Sequence, residues 1–325
     1  MYPRKKSNRI LILCLAVLLM VMVATSYALI ASNITNKDGN SRKKIGVLYM
    51  TLNNPYFEVL NQQIEAEVTE RGDILIERDS CLDNETQIRE IEEMIAEKVD
   101  IILLNSVDWK EIKPALLEAK EAGIPVIALD TDVYDSDLVI STIVSDNYHA
   151  GVAIAHDLMK KSQGGNILLM VQSSNKSARD RIQGFLDTLT EEGWPYEIVD
   201  QLECEGQLEL AQPLVEELLE KNVHIDVVMG LNDPSALGAM AALDAKGILS
   251  DVLVYGVDGA PEAKAMIAKG LMEGSAAQSP TLTGQYAARY LYDILDGNEV
   301  QIHKTIPITL ITKKNIDDYS LTNWE

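Results

Sequence analysis

Residues 45–57 read IGVLYMTLNNPYF, and this stretch decides the fold. Ile45 to Met50 is an apolar run of strand length. Thr51-Leu52-Asn53-Asn54 breaks it, and Pro55 stands where a helix begins. Proline is favoured at the first helical position because its missing N–H would be unpaired there anyway. The aromatics Tyr56 and Phe57 follow. The segment therefore reads as a buried strand, a short loop and a helix start. In an open α/β sheet such a loop lies beyond the carboxyl end of its strand, the edge at which ligands bind. Asn54, Tyr56 and Phe57 are then either the wall of a cleft or the seal of a core.

Downstream the same alternation continues. Apolar strands are expected at Ile45–Met50, Asp73–Glu77, Asp100–Leu104, Pro125–Asp130 and Val139–Ser145. Stretches with apolar residues three and four apart, Phe57–Arg71, Glu85–Lys98 and Glu111–Ala122, supply the helices between them. A second series starts with a helix at Asn147–Lys161. Its strands are expected at Gly165–Gln172, Tyr196–Leu202, Asp226–Met229, Val252–Val257 and Leu271–Ala277. A helix at Leu282–Leu295 and a strand at Ile306–Ile311 close the chain. Alternating β and α indicates parallel sheets with helices on both faces. About eleven strands are too many for one tidy sheet, so the expectation is an α/β protein of two similar lobes.

Composition narrows the partners. The 325 residues hold 28 Lys plus Arg against 50 Asp plus Glu. The first 42 contain six of the bases and one acid, which leaves 22 against 49 in the body, a net charge of −27. Such a surface repels nucleic acid and anionic ligands, and suits a neutral or cationic one. Arg4, Lys5, Lys6 and Arg9 precede an uncharged segment, residues 10–31, of membrane-spanning length. The basic flank stays in the cytoplasm, so the body lies outside it. The segment is read as a retained anchor, with Ser26-Tyr27-Ala28 as the place where cleavage would instead release the body. Residues 33–43 read as a polar tether. Cys81 and Cys204 are taken as two separate thiols. The four histidines lack metal-ligand spacing, so neither metal nor cofactor is expected.

Polar residues recur at the expected strand ends. Asp130 ends VIALD, Arg179 opens the helix after NILLMVQ, and Asn232 follows DVVMGL. Asp258 follows VLVYGV, and Gln278 follows the strand ending at Ala277. Each has a structural alternative; Asp233 before Pro234 is a good helix cap, and Asp258-Gly259 is a turn pair. Together with Asn54, Tyr56 and Phe57 they point to one cleft. Carboxylates accept two hydroxyls each, amides donate and accept, and arginine presents a rigid donor fork. Opposed Asp and Arg charges with aromatic faces suit a neutral, ring-shaped polyol.

These residues carry a resemblance. The stretches TLNNPYF, IPVIALDTD, SDNYHAG, SARDRIQGF, NDPSALGAM, VYGVDGAPEA and AAQSPTLTG make the chain similar, from Lys44 to about Lys313, to the ribose-type periplasmic sugar-binding proteins, the substrate-binding subunits of sugar importers. The resemblance implies two Rossmann-like lobes joined by three crossovers, near Ser145, Ala277 and Thr309. The lobes would be residues 44–145 with 279–308, and 146–278 with 309–325. It places Asn54, Tyr56, Phe57, Asp130, Arg179, Asn232, Asp258 and Gln278 on sugar-contacting positions. Three positions depart from the ribose pattern: Thr131 replaces an arginine, Val257 replaces an aromatic, and the loop around Glu205 lacks another. Another pentose or a hexose is therefore as reasonable a ligand as ribose.

The resulting expectation is a binding protein that closes on a monosaccharide and delivers it to the permease of an ATP-driven importer. An anchored co-receptor for a sensor histidine kinase is the alternative. A glycosidase using Asp130 and Asp258 is a remote third. The sequence contains no GxxxxGK, GxSxG or HExxH.

Overall fold

The computed structural model describes residues 15–27 and 41–324. Residues 15–27 are helical and exposed. Among the described residues no helix is long and apolar enough to cross a membrane. Both ends of the expected anchor and most of the tether lie outside the described residues.

The decisive stretch folds as strand β1 (Lys44–Tyr49), a loop, and helix α1 (Pro55–Arg71). Asn54 caps the helix, its Oδ1 accepting from the Tyr56 amide at 3.0 Å. Five further strands complete the first sheet: β2 (Ile74–Asp79), β3 (Ile101–Leu104), β4 (Val126–Leu129), β5 (Ser141–Ser145) and β11 (His303–Ile306). Their order is β11-β5-β4-β3-β1-β2, and every pair is parallel. The second sheet contains β6 (Gly165–Val171), β7 (Tyr196–Glu203), β8 (Val227–Gly230), β9 (Leu253–Asp258), β10 (Gly274–Ala277) and β12 (Thr309–Thr312). It repeats the plan as β12-β10-β9-β8-β6-β7, with β12 antiparallel to β10. In each sheet the strand order reverses beside the first strand, which opens a crevice at the carboxyl edge.

Parallel strands covered on both faces need continuous apolar sequence. The central strands IILL, VIAL and VVMG are wholly buried. Alternation sorts their side chains between two helical layers: Val47, Ile101, Leu103 and Ile127 join one cluster, and Leu48, Ile102, Leu104 and Ala128 the other. The chain passes between sheets three times: from β5 to helix α4 (Asn147–Leu158), from β10 to helix α9 (Pro280–Leu295), and from β11 to β12. The expected single strand Ile306–Ile311 is therefore two strands in different sheets. Pro307 stands between them and has no N–H to give a ladder. The strand expected from Val139 starts at Ser141, after a 3₁₀ turn at Ser136–Leu138.

One helix pair matters for the site. Helix α5 (Lys176–Glu191) crosses α4 so closely that only glycine fits at the contact. A Cβ on Gly151 would lie 2.0 Å from the Arg181 carbonyl oxygen, and one on Gly184 would lie 2.1 Å from that of Tyr148. This crossing fixes the start of α5, and with it Arg181, against the second sheet. Cys81 is exposed and Cys204 buried; neither is disulfide-bonded.

Candidate functional site

The carboxyl edges of the two sheets face a common cavity. It offers about 40 Å³ to the centre of a water molecule, several times the ~10–15 Å³ that one water requires. The first lobe lines it with Met50, Thr51, Asn54, Tyr56, Phe57 and Asp130. From the second come Gln172, Asn175, Ser177, Arg181, Asn232 and Asp258, with Glu205 and Gln207 on the loop after β7. Leu231, and Gln278 at the crossing after β10, complete the lining. Polar contacts already join the lobes. Ser177 Oγ donates to the Asp130 carbonyl at 2.8 Å, and the Ser177 amide to Thr131 Oγ1 at 3.3 Å. Asn53 Nδ2 donates to Gln207 Oε1 and Glu209 Oε1, 2.7 Å each.

Of the residues expected at the site, Arg179 is not in the cavity. It is exposed and borders a separate surface hollow with Lys176 and Gln183. Arg181 stands in the cavity instead. Two residues on a helix turn about 200°, so the arginines point in nearly opposite directions. Arg181 lies on the buried stripe of α5 with Ala178, Ile182, Phe185 and Leu189, and Arg179 lies off it. Arg181 Nε donates to Asn147 Oδ1 at 2.8 Å, Nη1 donates to the Leu231 carbonyl at 2.9 Å, and Nη1 lies 3.8 Å from Asp258 Oδ1.

The two aspartates share an unusual backbone. Asp130 has φ +66° and Asp258 φ +128°, conformations that cost a side-chain-bearing residue ~1–3 kcal/mol and that cluster at functional sites. Contacts on either side hold them there. Asp130 N donates to the Ile143 carbonyl at 2.8 Å. Gln278 N donates to the Asp258 carbonyl at 3.0 Å, and Gln278 Nε2 donates to Asp258 Oδ1 at 2.7 Å. Among the described residues four buried polar atoms of the lining make no hydrogen bond of good geometry, Tyr56 Oη, Asp130 Oδ1, Asp258 Oδ2 and Gln278 Oε1, although the Tyr56 hydroxyl stands beside the Asp130 carboxyl and the Asn54 side chain beside that of Asp258. Buried polar groups are normally paired, so this cluster is a ready set of ligand contacts.

Asn232 faces the cavity but is largely engaged. Its Oδ1 accepts from Ser235 N at 3.0 Å, capping helix α7 (Asp233–Lys246), and its Nδ2 donates to the Gly206 carbonyl at 3.0 Å. The cap is thus Asn232 rather than Asp233. Asp233 is fully buried behind the site, accepting from the Ala260 amide and Ser275 Oγ at 2.7 Å each. Val257 packs into the core under α4 and α5, away from the cavity. Tyr56 is backed by the indole of Trp324, edge-on with centroids 5.8 Å apart.

Burial raises the carboxyl groups of Asp130, Asp233 and Asp258 above their usual range. For Asp258 the rise reaches about 6, burial acting against the nearby Arg181. For Asp233 the charge of Asp258 adds to burial. Burial likewise lifts the Tyr56 phenol well above its ordinary value, so it stays a neutral donor.

Two α/β lobes facing one polar cavity define a two-lobed ligand-binding protein. Residues 45–299 match the family model of the periplasmic binding protein domain, and the chain belongs to that family. It is 31% identical over 282 residues to the ribose import binding protein of Bacillus subtilis, covering 86% of this chain and 90% of that one. Among solved structures it superposes on an ABC transporter solute-binding protein from Bacillus halodurans with bound myo-inositol. The TM-score is 0.80, with 26% identity over 86% of this chain and 97% of that one. It also superposes on the binding component of the arabinose ABC transporter from Shewanella, bound to L-arabinofuranose, with TM-score 0.78 and 27% identity over 85% and 94% of the chains. The family consists of binding proteins, not enzymes, and acts outside the cytoplasm.

Proposed function

We propose that this chain captures a monosaccharide or related cyclic polyol in the cavity between its lobes and delivers it to an ABC importer. The observation that carries the reading is the cluster of buried polar side chains with open hydrogen-bonding capacity shared by the two carboxyl edges. Asn54, Tyr56, Phe57 and Asp130 hold the ligand from the first lobe; Arg181, Asn232 and Asp258 hold it from the second, and Gln278 from the crossing. Two aromatic residues supply apolar contact to ring C–H bonds, while Asp130, Asp258 and Gln278 accept hydroxyls. The lobes, residues 44–145 with 279–308 and 146–278 with 309–325, turn about the three crossings. Closure is driven only by contacts that the ligand makes to both lobes at once.

The importer is preferred to a sensor kinase as reader of the closed form. The relatives' names, ribose import binding protein and ABC transporter solute-binding protein, support that choice. Residues 10–31 act as a retained anchor on the outer face of the membrane. Their length, lack of charge and basic flank support this. A thermal-shift screen of pentoses, hexoses and inositols, followed by calorimetry on the hits, tests the function. One or more should bind at micromolar concentration with unit stoichiometry. Absence of binding throughout the panel at millimolar ligand would refute the reading.

A further inference from the structure

The first crossing between the lobes is short. Only Asp146 stands between Ser145, the end of β5, and Asn147, the start of α4. The Asp146 amide donates to the Ile306 carbonyl at 2.9 Å, which holds this crossing against the end of β11, where the third crossing begins. Asn147 is buried, and its amide is engaged by three partners. Oδ1 accepts from Arg181 Nε at 2.8 Å, while Nδ2 donates to the Ser145 carbonyl at 3.1 Å and to Ser177 Oγ at 3.0 Å. A guanidinium N–H can only donate and a carbonyl can only accept, so the amide has one possible orientation.

That orientation propagates. With Asn147 Nδ2 as donor, Ser177 Oγ accepts, and its single hydrogen is left for the Asp130 carbonyl, 2.8 Å away in the other lobe. The bonds run without a break from Arg181 through Asn147 and Ser177 to Asp130, and all four residues are buried. Arg181 and Asp130 are ligand contacts proposed above, one from each lobe. Of the links between them, only the one from Ser177 to Asp130 spans the gap, so it is the one that breaks when the lobes part.

Resting on the sugar-binding reading above, we propose that Asn147 is a positioning residue for lobe closure. It holds Arg181 where the ligand meets it and points the Ser177 hydroxyl at the first lobe, so ligand seating and closure support each other. Asn147 does not line the cavity; it acts through Arg181 and Ser177. Its contribution is therefore the same for every ligand that the cavity accepts. It enters through the dissociation rate, because the bond from Ser177 to Asp130 must break before the lobes release the ligand.

Asn147→Asp separates the two halves of this role. The introduced carboxylate still accepts from Arg181 Nε but has no hydrogen to give, so Ser177 turns its hydroxyl to the carboxylate and away from Asp130. Calorimetry and stopped-flow fluorescence on the full chain compare wild type, Asn147→Asp, Ser177→Ala and the double variant. The probes are D-ribose, L-arabinose, D-galactose and myo-inositol. For each probe that binds wild type, either single change should weaken binding about five- to tenfold, the worth of a buried hydrogen bond. The factor should be common to the probes and lie in faster dissociation. The double variant should bind within about twofold of the weaker single, because both changes cut one chain. Additive losses, or a lower melting temperature of Asn147→Asp with unchanged affinity and dissociation, overturn the positioning role and leave sugar binding standing. No binding of any probe to wild type overturns both. Should Asn147→Asp fail to fold, Asn147→Ala takes its place in the cycle. Adding Ser177→Ala should then change nothing further, and a further loss overturns the proposal.

Discussion

Replacing Arg181 by methionine is the sharpest probe of how the site is built. Methionine keeps the length and most of the apolar stem but removes the charge and both hydrogen bonds, to Asn147 and to the Leu231 carbonyl. Arg181 is 5% exposed and Asp258 is 3% exposed, so water does little to replace the lost partner. Breaking a buried ion pair by removing one member costs ~3–5 kcal/mol, since the other charge is left uncompensated. Asp130 and Asp258 both rely on this guanidinium, which places the cost toward the upper end at neutral pH. The melting temperature of the ligand-free protein should fall by about 10 °C. Protonation of Asp258 relieves part of the cost, so the deficit should shrink between pH 7.5 and pH 5. Arg179→Ala is the control, a surface change expected to stay within ~0.5 kcal/mol. Scanning calorimetry of the three proteins at both pH values gives the answer. If Arg181→Met melts within ~2 °C of wild type, or if Arg179→Ala falls as far, the assignment of the buried arginine is wrong.

Other perturbations probe the remaining parts. Asp258 has a folded-state value of about 6, above the ~4 of an unfolded aspartate. The folded chain therefore holds this proton more tightly, and the contribution to stability is lost as pH rises from about 4 through 6. Its size is at most about 3 kcal/mol. The wild-type melting temperature should rise between pH 7.5 and pH 5, and Asp258→Asn should flatten that rise in a circular-dichroism melt. Gly184→Ala forces a methyl against the Tyr148 carbonyl and should cost about 1–3 kcal/mol in urea unfolding. Gly193→Ala, with nothing near its Cβ but φ +70°, should cost less. Ending the chain at Asn323 removes the Trp324 edge contact to Tyr56, worth ~0.5–1.5 kcal/mol. Calorimetry should then show ligand affinity reduced by up to about tenfold.

The parts of the molecule that were legible in the sequence are those where a local signal and a global one agree. The loop after β1 carries its own punctuation, Asn54 as cap and Pro55 as the first helical residue. The strand ends Asp130, Asn232 and Asp258 could be placed because apolar runs of four to six residues fix where each strand stops; the strand before Gln278 reads GSAA and begins at Gly274 rather than Leu271. Arg181 was readable by a rule that motif position overrode. Ala178, Ile182, Phe185 and Leu189 set the inner stripe of α5, and Arg181 falls on it. Gln172, Asn175, Ser177 and Gln207 carried no such signal. Asn175 and Ser177 stand at a helix start, where capping explains them equally well, and Asn175 does cap α5; Gln172 and Gln207 lie in polar loops whose direction the sequence does not fix. The β11–β12 split was hidden because both strands are short and only Pro307 and Ile308 separate them.

The central claim is that one ligand is held by both lobes at once. Calorimetric titration of wild type, Asn54→Ala and Asp258→Ala with the tightest ligand from the screen tests it most directly. The account predicts one site per chain and at least tenfold weaker binding in each variant, one from either lobe. Binding that survives unchanged when either lobe's contact is removed would contradict it.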